Sequence, residues 1–130
     1  MLDRRALLDR LRALPIPATE YWVVAGAAMV LHGFRAETRD VDLGCTPALA
    51  DELERQGFDV TRTADGARKI ALSQDVEIFE NWLEGEIERI DGVPVVSVEG
   101  LIAMKRRLGR AKDIADIALI ERAREGEVQP

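Results

Sequence analysis

The chain has 130 residues, 47% apolar and 32% charged, and a net charge of −6 at pH 7. That size and balance describe one ordinary globular domain, residues 1–130, and the acidity excludes a general nucleic-acid binder, which is normally basic. No apolar run is long enough to span a bilayer, the start Met1-Leu2-Asp3-Arg4-Arg5 lacks the apolar core of a signal peptide, and the single Cys45 forms no internal disulfide, so a cytoplasmic protein is expected.

Leu7, Leu8, Leu11 and Leu14 recur at helical spacing and predict an amphipathic helix over 2–14, ended by Pro15 and Pro17. Tyr21-Trp22-Val23-Val24 predicts a strand that leads into Gly26 and a short apolar helix to Leu31, stopped at Gly33. Gly26 permits close approach at the turn, and the start of the helix offers free amide hydrogens to an anion. His32, the only histidine, is expected to serve structurally at the helix end. A polar loop returns the chain to Arg39-Asp40-Val41-Asp42-Leu43-Gly44. Read as a strand, this piece puts Asp40 and Asp42 on one side and Val41 and Leu43 on the other. Two carboxylates so close repel unless a cation, a proton or an arginine sits between them. Where phosphates are handled, a divalent ion held by oxygen ligands is the usual resolution.

Thr46 and Pro47 open a helix that runs to Gln56, with Gly57 beyond its end. Strands are predicted over 58–61, 68–72 and 75–79, with a turn at Ala64-Asp65-Gly66. Glu77 stands between Val76 and Ile78 as Asp42 stands between Val41 and Leu43, so each carboxylate projects away from an apolar face. Trp82 to Gly85 reads as an irregular connection or the start of a short helix. Val93 to Val96 is extended and expected at a sheet edge, because Pro94 has no amide hydrogen for a ladder. Ser97 caps a helix over 98–108, and Gly109 breaks it. The last helix, 112–125, carries an apolar stripe of Ile114, Ile117, Ala118 and Ile120, with Asp113 and Asp116 on its polar side. Charge is uneven along the chain. Seven acids face one base between Asp75 and Asp91, whereas Lys105 to Lys112 holds five bases and no acid, enough to contact phosphates locally.

A Gly-small pair at a strand–helix turn, about a dozen residues, and then Asp-apolar-Asp make an ordered combination. It continues through Leu31-His32-Gly33, Arg35, Thr38 and Asp40-Val41-Asp42, and resumes in Val98 to Lys105 and Arg110 to Asp116. Over most of residues 20–120 the chain therefore resembles the nucleotidyltransferase superfamily, most of all its small stand-alone members related to abortive-infection (AbiEii-type) toxins and minimal nucleotidyltransferases. The resemblance implies an α/β fold, a nucleotidyltransferase-like small mixed β-sheet packed by helices, with a C-terminal helix pair closing one side of a cleft. It implies Mg²⁺- or Mn²⁺-dependent transfer of a nucleoside monophosphate from a nucleoside triphosphate to an RNA, protein or small-molecule acceptor.

By the same resemblance, Asp40 and Asp42 hold the metal and a third carboxylate on a later strand completes the catalytic set. Glu77 is the assignment, with Asp75 as the alternative. Gly26 and Ala27 would cradle the nucleotide phosphates, and Arg35 and Lys105 would counter their charge. Lys112 and Asp116 are similar to further family positions, the aspartate orienting a lysine or closing the site. One departure stands out: Gly26-Ala27 occupies a position where Gly-Ser or Gly-Gly is usual. That keeps open a catalytically degenerate binding domain, and a cognate toxin or antitoxin partner is a further expectation.

Overall fold

Residues 1–128 are described by the structure, a computed structural model. The elements in chain order are β1 (Leu2–Asp3), α1 (Arg4–Arg12), β2 (Tyr21–Val24), α2 (Ala25–Leu31), β3 (Glu37–Thr38), β4 (Val41–Cys45) and α3 (Pro47–Arg55). There follow β5 (Asp59–Arg62), β6 (Arg68–Ala71), β7 (Val76–Glu80), β8 (Ile87–Ile90), β9 (Val93–Val96), α4 (Val98–Leu108) and α5 (Ala111–Val128).

Local chemistry sets the helix ends. Asp3 accepts from the Ala6 amide at 2.9 Å and starts α1. Thr46 accepts from the Leu49 amide ahead of Pro47, and Ser97 from the Gly100 amide at 3.1 Å. Gly109, at φ 64°, ends α4 in the left-handed conformation that a side chain disfavours. The apolar positions of α1 bury Leu7, Leu8 and Leu11, as their spacing predicts.

Seven strands form one mixed sheet in the order β5-β6-β7-β4-β2-β9-β8, and β1 and β3 pair separately. The β4–β7 ladder is parallel and sets Asp42 opposite Glu77; β2 runs antiparallel to β4, with Val24 opposite Asp42. Strand alternation then divides the two faces. Val41, Leu43, Cys45, Val76 and Ile78 are fully buried on one of them. Asp42, Gly44, Glu77 and Phe79 project from the other. The architecture is α/β, a mixed sheet with five helices, as expected.

Several readings of the sequence need correction. Val93–Val96 is an inner strand between β2 and β8. Pro94 is tolerated because the ladder to β2 registers only at Val23 opposite Val95, and a single parallel bridge there engages no amide at 94. The true edge, Ile87–Ile90, was not predicted; its two isoleucines are separated by Glu88 and Arg89, so the run shows no apolar alternation. Asp40 lies just before β4 rather than within it. The stripe expected on the last helix holds in part: Ile120 is fully buried and Ile117 packs against the core, but Ile114 stands 61% exposed and Asp113 faces inward at 1% exposure. The electrostatic reason lies in the cleft.

Candidate active site

A cleft of about 1250 Å³ opens on the sheet face that carries Asp42. Its floor is the β2–α2 turn, Ala25 and Gly26, together with Asp40 and Asp42. The α4–α5 pair forms one wall with Met104, Lys105, Arg110, Lys112, Asp113 and Asp116. Phe79 to Glu84 and the tip of the β5–β6 hairpin, Thr63 to Ala67, form the other.

Strand β4 positions Asp42 by alternation, half-buried between its buried neighbours Val41 and Leu43. Burial pushes its carboxyl above the usual carboxylate range, and the negative charges of Glu77 and Asp40 push it further; Lys69 and Lys112 offset part of that rise. Asp40 is exposed, and its backbone carbonyl accepts from the Thr38 hydroxyl at 3.0 Å. Thr38 thus fixes the approach to the strand. Glu77 lies across the ladder from Asp42 and pairs with Lys69 at 3.1 Å. It does not itself line the cleft. Asp75 is held by Arg10 at 2.6 Å and Ser73 at 2.9 Å, and it too lies outside the cleft. Among the described residues, no three histidine, cysteine, aspartate or glutamate side chains converge closely enough to form a metal cage by themselves.

At the floor, Ala25 takes φ 55°, a left-handed backbone that side chains rarely adopt. The strained residue of this turn is therefore Ala25, one position before the glycine that the sequence singled out. Gly26 serves close approach: a Cβ there would sit 3.0 Å from the Arg35 Nη1 and 3.0 Å from the Thr38 Oγ1. Ala27 is fully buried and does not line the cleft. A side chain at 27 points into the core, so the hydroxyl that Ala27 lacks would not have faced the cleft.

The C-terminal wall is a charge network. Asp116 accepts from Arg35 at 2.8 Å through one carboxylate oxygen and from Lys105 at 2.9 Å through the other. Lys105, only 5% exposed, also lies 3.9 Å from Asp113. Asp113 is bound by Arg110 at 2.7 Å, and that hydrogen bond holds its carboxyl below the usual range. A buried ammonium needs buried counter-charge. This need turns Asp113 and Asp116 inward on α5 and leaves Ile114 outside. The stripe expected from hydrophobic spacing misplaced Ile114 and Asp113, because it counted apolar residues and not the partners of Lys105. Arg110 and Asp113, which line the cleft, were not singled out in the sequence; their three-residue spacing was the available signal.

Phe79 and Trp82 meet edge to face, 5.0 Å between centroids, beside the carboxylates. The Trp22 indole crosses Gly44 and donates to the Trp82 carbonyl at 2.8 Å, which ties the 81–86 connection to the sheet. His32 lies outside the cleft, its Nε2 2.7 Å from the Val96 carbonyl oxygen, consistent with the structural role expected of it. Cys45 is buried, and burial pushes its thiol up to about 11, so it is inert.

The sequence matches no family model and no curated protein. Among solved structures, a candidate nucleotidyltransferase of Thermotoga maritima superposes with a TM-score of 0.56 at 18% identity, over 88% of this chain and 87% of that one. ANT(2")-Ia, solved with adenylyl-2"-tobramycin, superposes with a TM-score of 0.54 at 20% identity, over 95% of this chain and 86% of that one. The chain has the nucleotidyltransferase fold. At these identities the likeness is one of fold. Among the described residues, no helix of this nucleotidyltransferase fold is long and apolar enough to cross a membrane.

Proposed function

We propose that the protein transfers a nucleoside monophosphate from a nucleoside triphosphate to an acceptor hydroxyl, releasing pyrophosphate. The observation that carries this reading is the pairing of Asp40 and Asp42 on the floor of a cleft whose wall presents Arg35, Lys105 and Lys112. The donors fit Mg²⁺ or Mn²⁺. Such ions take hard oxygen ligands and are commonly held by one or two carboxylates plus substrate phosphates, so no all-protein cage is required.

Asp40 and Asp42 would hold the ion, and Glu77 would complete the set by turning from its Lys69 pair on the adjoining strand into the cleft. A bound Mg²⁺ neutralises phosphate charge and stabilises what develops as the bond to the leaving group breaks. The backbone at Ala25 and Gly26 lets the phosphate tail approach the floor closely, while Ala27 packs beneath it. Arg35 and Lys105, both steadied by Asp116, counter the charge of the departing pyrophosphate. The acceptor oxygen attacks the α-phosphorus, the bond to the β-phosphate oxygen breaks, and Glu77 takes the acceptor proton.

The sequence resemblance extends this to the small abortive-infection and minimal nucleotidyltransferases and to a cognate toxin or antitoxin as partner. The acceptor class is an RNA, a protein or a small molecule. The deciding experiment is label transfer from each of four α-labelled nucleoside triphosphates into a crude cell extract with Mg²⁺, with Asp42→Ala as control. Label in one acceptor class, absent with the variant, establishes the transferase. Loss of both transfer and metal-dependent nucleotide binding in the parent protein would instead mark a degenerate partner-binding domain.

A further inference from the structure

Six cations line the cleft: Arg35, Arg39, Lys105, Arg107, Arg110 and Lys112. Four of them are committed within the protein. Arg35 and Lys105 share Asp116, Arg107 lies 3.4 Å from Glu84, and Arg110 holds Asp113 at 2.7 Å. Lys105 is the least available. It is 5% exposed, and its ammonium also stands 3.9 Å from Asp113. Drawing it out to a ligand would strip Asp113 and Asp116, both turned inward, of their counter-charge, which is costly. Among the described residues, Arg39 and Lys112 are the cleft cations that form no ion pair. Arg39 lies beside the floor, immediately before Asp40. Lys112 lies on the opposing wall, exposed in the first turn of α5, and its positive charge offsets part of the rise in the Asp42 carboxyl.

We propose that Lys112 is the lysine that touches the triphosphate tail, while Lys105 and Arg35 counter its charge without leaving Asp116. This inference rests on the nucleotidyl-transfer reading. An ammonium with no partner in the protein meets a phosphate by giving up water alone, whereas Lys105 would have to break an internal pair as well. A compact charge with three donors on a flexible four-carbon stem suits a tail whose oxygens lie in several directions. The tail then runs from the floor at Ala25 and Gly26 toward the start of α5, away from the Phe79–Trp82 wall. That leaves the aromatic wall to the rest of the nucleotide or to the acceptor. Lys112 therefore discriminates by the length of the phosphate chain: it contacts the phosphates that a triphosphate has and a monophosphate lacks.

The test is calorimetric binding of the four nucleoside triphosphates and the matching monophosphates, each with Mg²⁺, to the whole chain. Wild type is expected to bind a triphosphate more tightly than its monophosphate. Lys112→Ala is expected to lose about tenfold in triphosphate affinity, the size of one charge-assisted contact, and nothing in monophosphate affinity. Lys112→Arg is expected to keep most of the triphosphate affinity. Circular dichroism should be unchanged in both variants, because the side chain is exposed. Wild type that binds both nucleotides equally, Lys112→Ala with undiminished triphosphate affinity, or an equal loss for both nucleotides overturns the assignment of Lys112 and leaves the nucleotide site standing. No triphosphate bound by wild type overturns the nucleotidyl-transfer reading itself, so the two failures are distinguishable.

Discussion

Asp42 and Glu77 face each other across the parallel β4–β7 ladder, two like charges on adjoining strands of one sheet. Such an arrangement weakens the fold that contains it.

Replacing Asp42 should therefore stabilise the metal-free protein. Burial and the charges of Glu77 and Asp40 raise its folded pKa, so ionisation costs stability as pH rises through the unfolded carboxylate value near about 3.9 and beyond. Asp42→Asn is expected to gain about 0.2–1 kcal/mol at pH 7, the size of a relieved cross-strand like-charge pair. The gain should vanish below about pH 4, where both forms are neutral. Urea unfolding at pH 7 and pH 3.5 checks it; a variant less stable than wild type at pH 7 contradicts the electrostatic account.

Asp113 should behave in the opposite sense. Its hydrogen bond from Arg110 lowers its folded pKa, so its contribution is present above the unfolded value and is lost as pH falls through the folded one. Asp113→Ala also strips a counter-charge from the buried Lys105 and should cost about 3 kcal/mol at pH 7. The deficit should shrink in acid. Denaturant midpoints across pH 2–7 measure both parts.

The left-handed backbone at Ala25 predicts a benefit from glycine there and harm from alanine next to it. Ala25→Gly removes a conformational cost of about 1–2 kcal/mol against an entropic cost of about 0.5–1 kcal/mol, for a small net gain in melting temperature. Gly26→Ala places a methyl 3.0 Å from both the Arg35 guanidinium and the Thr38 hydroxyl. Arg35 must then shift, and nucleotide affinity should fall about tenfold while the fold survives. Equal affinity for Gly26→Ala and the parent would remove Arg35 from the site.

Gly44 tests the aromatic wall. An added Cβ would lie 2.0 Å from the Trp22 Nε1 and 2.6 Å from the Trp82 carbonyl oxygen. Gly44→Ala should cost about 1–3 kcal/mol by overpacking and change the near-ultraviolet tryptophan signal. An unchanged spectrum would mean that the Trp22–Trp82 hydrogen bond is not the tether of the 81–86 connection.

The parts of the molecule governed by local chemistry were legible in the sequence. Tyr21–Val24 is a strand with the predicted bounds, and Thr46, Ser97 and Gly109 end their helices as their side chains, or the lack of one, dictate. What eluded the sequence depends on contacts between distant segments. Leu2–Asp3 pairs with Glu37–Thr38, a relationship with no local signal. Pro94 was placed at an edge because its missing donor was weighed without knowing how short its ladder to β2 would be. The face of α5 was misread in part because Ile114 and Ile120 were counted alike, whereas the buried Lys105 decides which side turns inward. Within the site, the strand patterns put Asp42 and Glu77 each on the polar side of its strand, and it was the family resemblance that set the two side by side. The grip of Lys69 on Glu77 followed from neither, since Lys69 and Glu77 belong to strands whose register the sequence leaves open.

The most direct test is nucleotide binding with and without Mg²⁺, by equilibrium dialysis against each nucleoside triphosphate, for wild type, Asp42→Ala and Asp42→Asn. The account predicts metal-dependent binding by wild type that both variants lose while remaining folded. Variants that bind Mg²⁺ and nucleotide as wild type does would contradict the site assigned to Asp40 and Asp42.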